Sequence, residues 1–159
     1  MIVSLTEKGI NDAIRKLNKY KEDVQKANKT ALEQIGEYSV EYAKQQVATL
    51  GAFDTGELYG SIKGELEKPY RYVISTDCEH AKFVEYGTGI VGSQSDVPRE
   101  LPSGWKYSTN PNGWVYKGKD GLYHRTKGMP SRPFMYNTKL ELMSLYKETI
   151  KKEIKKVKF

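Results

Sequence analysis

From Gly9 onward, Ile10, Ile14, Leu17, Tyr20 or Lys21, Val24, Ala27, Ala31, Ile35, Tyr38 and Tyr42 recur at steps of three and four. That spacing puts one apolar stripe on a helix. Run unbroken from Glu7 to Thr49 the helix would measure about 65 Å at 1.5 Å per residue. A compact domain of this size has a radius of gyration of only about 15 Å, so the pattern predicts a break in Asn18 to Asp23, with Gly51 ending the second helix. Met1 to Ser4 is a short edge-strand candidate.

Asp54-Thr55-Gly56-Glu57-Leu58 reads as a turn that can cap a short helical segment reaching Ser61 and Ile62. Ser61 to Glu67 alternates weakly, while Tyr70 to Thr76 is rich in β-branched and aromatic residues. Both read as strands, with Lys68-Pro69 as the hairpin turn. Asp77 is an N-cap candidate for a helix of one or two turns through Tyr86, which Gly87 would stop. Within that element Phe83 and Val84 precede Glu85, and the chain then opens at Gly87-Thr88-Gly89.

From Ile90 to Gly128 the composition is that of a loop, dense in glycine, proline, serine and asparagine. Gly104-Trp105-Lys106-Tyr107 is echoed by Gly113-Trp114-Val115-Tyr116. Trp114 to Lys117 and Leu122 to Arg125 flank Gly118-Lys119-Asp120-Gly121 as a hairpin. Both tryptophans of the chain lie in this excursion, and aromatics of that size are enriched at interfaces. Pro130-Ser131-Arg132-Pro133-Phe134 then launches a last helix with the stripe Tyr136, Leu140, Met143, Tyr146 or Lys147, Ile150, Ile154 and Val157. The order of helices, strands, insertion and helix predicts an α+β fold: an antiparallel sheet packed by a long N-terminal helix and a C-terminal helix, with an extended insertion at about 90–128.

The chain of 159 residues fits one domain, 1–159, able to bury roughly 68–70% of its unfolded surface. The single cysteine, Cys78, excludes an intrachain disulfide framework and suits a reducing compartment. No basic–apolar leader and no long apolar run is seen, so a soluble protein without a membrane partner is expected. The net charge of +6 is local. Lys151 to Lys158 holds five lysines against one glutamate, as suits a solvated helix end or contact with an acidic partner or DNA.

Candidate chemistry is sparse. Asp54-Thr55-Gly56 matches the catalytic tripeptide of aspartic proteases, but that mechanism needs two such loops in an all-β frame, so a turn is expected. Cys78, His80 and His124, with Glu85 as a fourth group, lack zinc-site spacing, and no third group orients a Cys–His pair. No phosphate-binding glycine motif occurs. The expectation is therefore no catalytic residue, no cofactor and no metal. Interleaved basic and aromatic residues at Trp105-Lys106-Tyr107, Trp114 to Lys117 and Tyr123-His124-Arg125 keep a nucleic-acid-binding module as the alternative.

Three segments in order, Phe53-Asp54-Thr55-Gly56-Glu57-Leu58 through Ser61-Ile62, His80 to Gly89, and Gly128 to Phe134, resemble the neck and tail-completion proteins of long-tailed bacteriophages, the gene-ten-like tail-component family. The resemblance spans about residues 5 to 155. It departs at His80, where an aromatic is usual, and near Gly51 to Phe53, where proline is common. It implies a structural virion protein, made in the bacterial host cytoplasm and assembled at the head–tail junction as a six-fold, or twelve-fold, ring through which DNA could pass. Its partners would be neighbouring neck or head-closure proteins and tail-tube or tail-terminator proteins. The same resemblance gives structural or interface roles to Asp54, Thr55, Gly56, Leu58, Ser61, Glu85, Tyr86, Gly87, Thr88, Gly89, Trp105, Trp114, Tyr116, Arg132, Pro133 and Phe134. Asp54 and Thr55 would fix the turn by accepting backbone N–H bonds. Glu85 would pair with Arg132 or a lysine, Gly87 and Gly89 would take positive φ, and Pro133-Phe134 would anchor the last helix onto the sheet.

Overall fold

The computed structural model describes residues 6–68, 70–96 and 100–158. The edge-strand candidate Met1 to Ser4 and Pro69 of the first hairpin turn lie outside them. The fold is α+β, as expected. Its elements in chain order are α1 (Glu7–Thr49), α2 (Glu57–Ser61), β1 (Lys63–Lys68), β2 (Arg71–Ser75), α3 (Ala81–Tyr86), α4 (Gly89–Ser93), β3 (Trp114–Lys117), β4 (Tyr123–Thr126), β5 (Gly128–Met129) and α5 (Phe134–Ile154). Among the described residues the strands form two two-stranded sheets, β1–β2 and β3–β4.

Helix α1 runs for 43 residues without interruption, so the break anticipated at Asn18 to Asp23 is absent. The break was inferred from a single compact body. The chain packs instead as two compact units, one of Met1–Ser39, Gly64–Ile74 and Glu141–Phe159 and the other of Val40–Lys63 and Ser75–Leu140. Residues 7–39 of the helix serve the first unit and 40–49 the second. Asn18 to Asp23 contains neither glycine nor proline, so no residue there forces an end.

Both ends of α1 are capped. The Thr6 hydroxyl accepts the Gly9 N–H at 3.1 Å, and Glu7 places negative charge in the first turn, where the helix dipole favours it. At the other end the Ala52 N–H reaches the Val47 carbonyl at 2.9 Å and the Gly51 N–H reaches that of Ala48 at 3.1 Å. With Gly51 at φ +67°, this is a Schellman stop at the predicted glycine.

The buried stripe of α1 is Ala31, Ile35, Ser39, Ala43 and Val47, a step of four. Further toward the start, Ile10, Ile14 and Leu17 are 45%, 50% and 54% exposed, so the first turns of the predicted stripe do not enter a core. Gly36 is buried because the Tyr72 ring of β2 lies where a Cβ would stand. Mid-helix glycine costs about 1 kcal/mol relative to alanine, and here it admits an aromatic ring. Burial, followed by the nearby Glu37 and Glu33 carboxylates, raises the Tyr72 phenol above its ordinary value of 10.0.

Helix α5 also departs from its predicted stripe. Leu140, Met143 and Tyr146 are exposed, whereas Phe134, Thr138 and Glu153 are buried. The apolar residues of this helix lie on two faces, and spacing alone does not choose between them. In the first unit the Tyr38 hydroxyl donates to Glu141 at 3.1 Å. In the second, Asn137 at the start of α5 donates to Gln46 of α1 at 2.8 Å.

Candidate functional site

Two of the three sequence motifs meet in the second unit. Glu85 on α3 is 7% exposed, and its two carboxylate oxygens accept the main-chain N–H groups of Met135 at 3.0 Å and Tyr136 at 3.1 Å. The Pro133 carbonyl accepts the first turn's hydrogen bond from Asn137 at 2.9 Å, which makes Pro133 the N-cap position of α5. Proline has no side-chain acceptor to offer the next N–H groups. Glu85 supplies it from another element, with its negative charge at the positive helix end.

The expected pairing of Glu85 with Arg132 is not the one made: among the described residues no salt bridge joins the two. The main-chain N–H of Arg132 donates to Val84 at 2.8 Å, and its guanidinium lies 3.9 Å from the Met129 sulfur. Ser131 completes the clamp by donating its hydroxyl to the Glu85 carbonyl at 2.6 Å and its N–H to Ser95 at 3.0 Å. Phe134 is 1% exposed and anchors the start of α5 in this core.

Gly87 ends α3 at φ +75°, its N–H on the Phe83 carbonyl, so the expected stop holds. Asp77 does not cap α3. His80 occupies the N-cap position and makes no side-chain cap bond, while Asp77 pairs with Lys63 at 3.0 Å. Gly89 and Gly128 face each other in an antiparallel bridge beside Thr88 and Met129. Both have positive φ, +61° and +107°, and a Cβ on either would strike the opposing main chain, at Lys127 or Thr88. The chain can cross itself here only through glycine. The Thr88 hydroxyl also accepts the Met129 N–H at 3.2 Å. The expected loop from Ile90 thus begins with helix α4 and closes on β5.

The first motif is held separately. Leu58 and Ile62 are buried. Ser61 donates to the Leu58 carbonyl at 2.9 Å and shares a 2.6 Å hydrogen bond with Thr76. Gly56, at φ +83°, is the N-cap residue of α2 and no side chain caps that helix. Thr55 accepts the Glu57 N–H at 3.4 Å, but Asp54 does not fix the turn as expected. Its carboxylate, 83% exposed, meets Lys119 of the hairpin at 3.0 Å.

The two tryptophans have different settings. Trp114 starts the hairpin, whose register pairs Trp114 with Thr126, Val115 with Arg125, Tyr116 with His124 and Lys117 with Tyr123. Trp105 is not part of that hairpin. It folds back among the rings of Phe83, Tyr86 and Tyr107, at centroid distances of 5.7, 5.3 and 6.4 Å, and Tyr107 donates its hydroxyl to the Tyr86 carbonyl at 2.8 Å. The Trp105 indole N–H is buried without an acceptor among the described residues. Phe83, Trp105 and Trp114, with Lys82 and Lys106, line an open groove of about 580 Å³. Beside it the hairpin exposes Val115 at 53%, Tyr116 at 49%, Leu122 at 64% and Tyr123 at 77%.

The imagined metal set divides. Cys78 and His80 come together, with the sulfur 3.2 Å from each ring nitrogen, whereas His124 bonds Asp120 at 2.8 Å. Glu57, not singled out from the sequence, joins the first pair. It lies 21 residues from Cys78, beyond the reach of any local spacing rule.

Most motif residues therefore hold the chain's own backbone, and the groove and hairpin expose aromatic side chains. Residues 11–87 match the family model described as Bacteriophage HK97-gp10, putative tail-component. That stretch, a little under half of the chain, is similar to phage tail components. The matched stretch contains the first motif and most of the second and ends at Gly87, before the glycine crossing and the aromatic hairpin. No curated protein and no solved structure gives a match. No helix of the described residues is long and apolar enough to cross a membrane.

Proposed function

We propose that this chain is a neck or tail-completion subunit that assembles as a ring, six-fold or twelve-fold, at the head–tail junction of a long-tailed phage. Residues 1–159 would work as one tail-completion domain, made in the cytoplasm of a bacterial host and meeting head-closure, tail-tube or tail-terminator proteins. The observation that carries this reading is the aromatic groove with its hairpin, an exposed apolar surface in a chain whose first half matches tail components. A head-to-tail ring needs two different patches on each subunit. The exposed Ile10, Ile14 and Leu17 of α1 supply a second, separate one.

Mass in solution, by light scattering or native mass spectrometry, tests it, alone and with the neighbouring neck and tail proteins. The wild-type chain should form a closed oligomer or join tails. Tyr123→Ser and Trp114→Ala should remain folded and lose assembly. Tyr123, at 77% exposure, is the cleaner probe, because Trp114 packs against Gly89. A chain that stays monomeric and ignores both tails and neck proteins would overturn the proposal.

A second reading, nucleic-acid binding, draws support from a cleft of about 810 Å³ in the first unit. Lys16, Lys19, Lys26, Lys156 and Lys158 line it, with Asp23 and Glu153 in the same wall. It predicts an affinity for duplex or single strands that falls steeply with salt. In a ring the same lysines would suit DNA passage.

A further inference from the structure

We propose that Glu57, Cys78 and His80 form a binding site for a single divalent ion of the zinc type, with water as the fourth ligand. Each residue offers one donor atom, and the three donors lie within 4.8 Å of one another. Thiolate, imidazole and carboxylate are the donor types zinc takes, in a tetrahedral arrangement. Zn–S of about 2.3 Å and Zn–N of about 2.0 Å at the tetrahedral angle separate sulfur from nitrogen by about 3.5 Å. The sulfur stands 3.2 Å from both His80 nitrogens. To ligate, the exposed ring must turn one nitrogen's lone pair toward the ion, and the sulfur–nitrogen separation must open by a few tenths of an ångström.

Charge favours the same ion. One thiolate and one carboxylate balance a divalent cation, so the loaded site is neutral, the thiol giving up its proton as the ion binds. Cys78 is 8% exposed, whereas Glu57 and His80 are exposed. The sulfur side is therefore shielded, and the other side is open for entry and for water.

The ligands also sit on braced main chain. The Cys78 N–H donates to the Thr76 hydroxyl at 3.2 Å, and Thr76 bonds Ser61 of α2, the helix that carries Glu57. The His80 carbonyl accepts the N–H groups of Phe83 at 3.0 Å and Val84 at 3.1 Å. Hydrogen bonds thereby join the turn that carries the sulfur to the helix that carries the carboxylate, which is the support a metal site needs to keep its shape. The bound ion would staple the turn after α1 to the start of α3.

Cobalt(II) is the probe, because its thiolate complexes absorb in the near ultraviolet and its tetrahedral complexes absorb in the visible. The full-length, reduced protein should bind one Co²⁺ per chain with both signals, and Zn²⁺ should displace it. Cys78→Ser should abolish the charge-transfer band. Loss of a group that merely supports a ligand weakens metal sites about 10–100-fold, so Glu57→Gln and His80→Asn should each weaken binding at least about tenfold. Both positions are exposed, so these variants should keep the wild-type circular dichroism. Saturating Zn²⁺ should raise the wild-type melting temperature, as binding to the folded state alone requires. No cobalt band, or a band that Glu57→Gln and His80→Asn leave at full affinity, would overturn the proposal.

Discussion

The clamp formed by residues 81–89 with 128–136 and the hairpin of residues 114–126 belong to one unit but solve opposite problems. In the clamp nearly every marked residue is turned inward: Glu85 caps α5, Ser131 ties the Glu85 carbonyl to the Ser95 hydroxyl, and Gly89 crosses Gly128. In the hairpin all four residues of β3 are exposed, as are the first three of β4, and Tyr123 is 77% open. The residues that make the family resemblance recognisable therefore build the fold. The surface on which assembly would depend carries no motif. A main-chain clamp tolerates few side chains because its partners are fixed backbone groups, whereas an exposed strand face can vary with whatever it meets.

Removing the clamp's charge should give the largest effect. Glu85→Ala leaves two N–H groups of α5 without their acceptor in a partly buried setting. Hydrogen bonds to charged groups are worth about 1.5–3 kcal/mol each, but the two share one carboxylate, so a loss of about 3 kcal/mol is expected. In a chain of this size each kcal/mol moves Tm by roughly 2–4 °C, so thermal melting should show a drop near 10 °C. Glu85→Gln, which keeps one acceptor oxygen, should fall between. A Glu85→Ala protein that melts like wild type would mean that the carboxylate does not hold the helix.

Glycines compare the two regions at equal chemistry. Gly89 and Gly121 both have left-handed φ, +61° and +79°, but a Cβ on Gly89 meets the Lys127 main chain while one on Gly121 meets nothing within 4 Å. Gly121→Ala should cost only the backbone term, about 1–2 kcal/mol. Gly89→Ala should cost that and a displacement of packed main chain, about 1–3 kcal/mol more. Denaturant midpoints at unchanged slope would measure both, and equal losses would show that the crossing is loose.

This contrast explains what was legible in the sequence. The glycine stops at Gly51 and Gly87, the hairpin around residues 118–121 and the α+β order follow from local chemistry, and they stand as read. Glu85 is recognisable as a carboxylate in need of a partner, but among the described residues its carboxylate accepts from a pair of main-chain N–H groups some 50 residues away, which no side-chain inventory contains. Arg132 looked suitable because it is charged and near in the motif order. The unbroken α1 was hidden for another reason: its length is excessive for one compact body and unremarkable for a helix serving two. Trp105 and Trp114 share a local pattern, yet only the second lies in a strand, because Phe83 and Tyr86 provide the first with a ring cluster nearby.

On the hairpin, side-chain changes should affect stability little and assembly strongly. Tyr123→Ser removes a ring that is mostly in solvent, so unfolding should shift by no more than about 0.5 kcal/mol. Under the ring proposal the same variant should fail to form the oligomer or to join tails. Sedimentation beside a melting curve separates the two readouts. If stability fell as far as in Glu85→Ala, the hairpin would be part of the core's support and the division drawn between the two regions would be wrong.

The smallest effect concerns the approach to α3. Asp77, taken from the sequence as its cap, instead bonds Lys63, and the hydrogen bond followed by the lysine charge holds its carboxyl below the ordinary 3.8. A folded-state value below the unfolded one means that the contribution is complete above about pH 4 and disappears as pH falls through the lower, folded value. Both side chains are largely exposed, 65% and 71%, and such pairs are weak and screened by salt. Asp77→Asn should therefore melt like wild type at high salt at any pH. At low salt it should lie slightly below wild type near neutrality, and the gap should close on acidification below pH 4. A gap that persisted in acid or in high salt would mean that Asp77 supports the start of α3 through something other than its charge, as the clamp residues support α5.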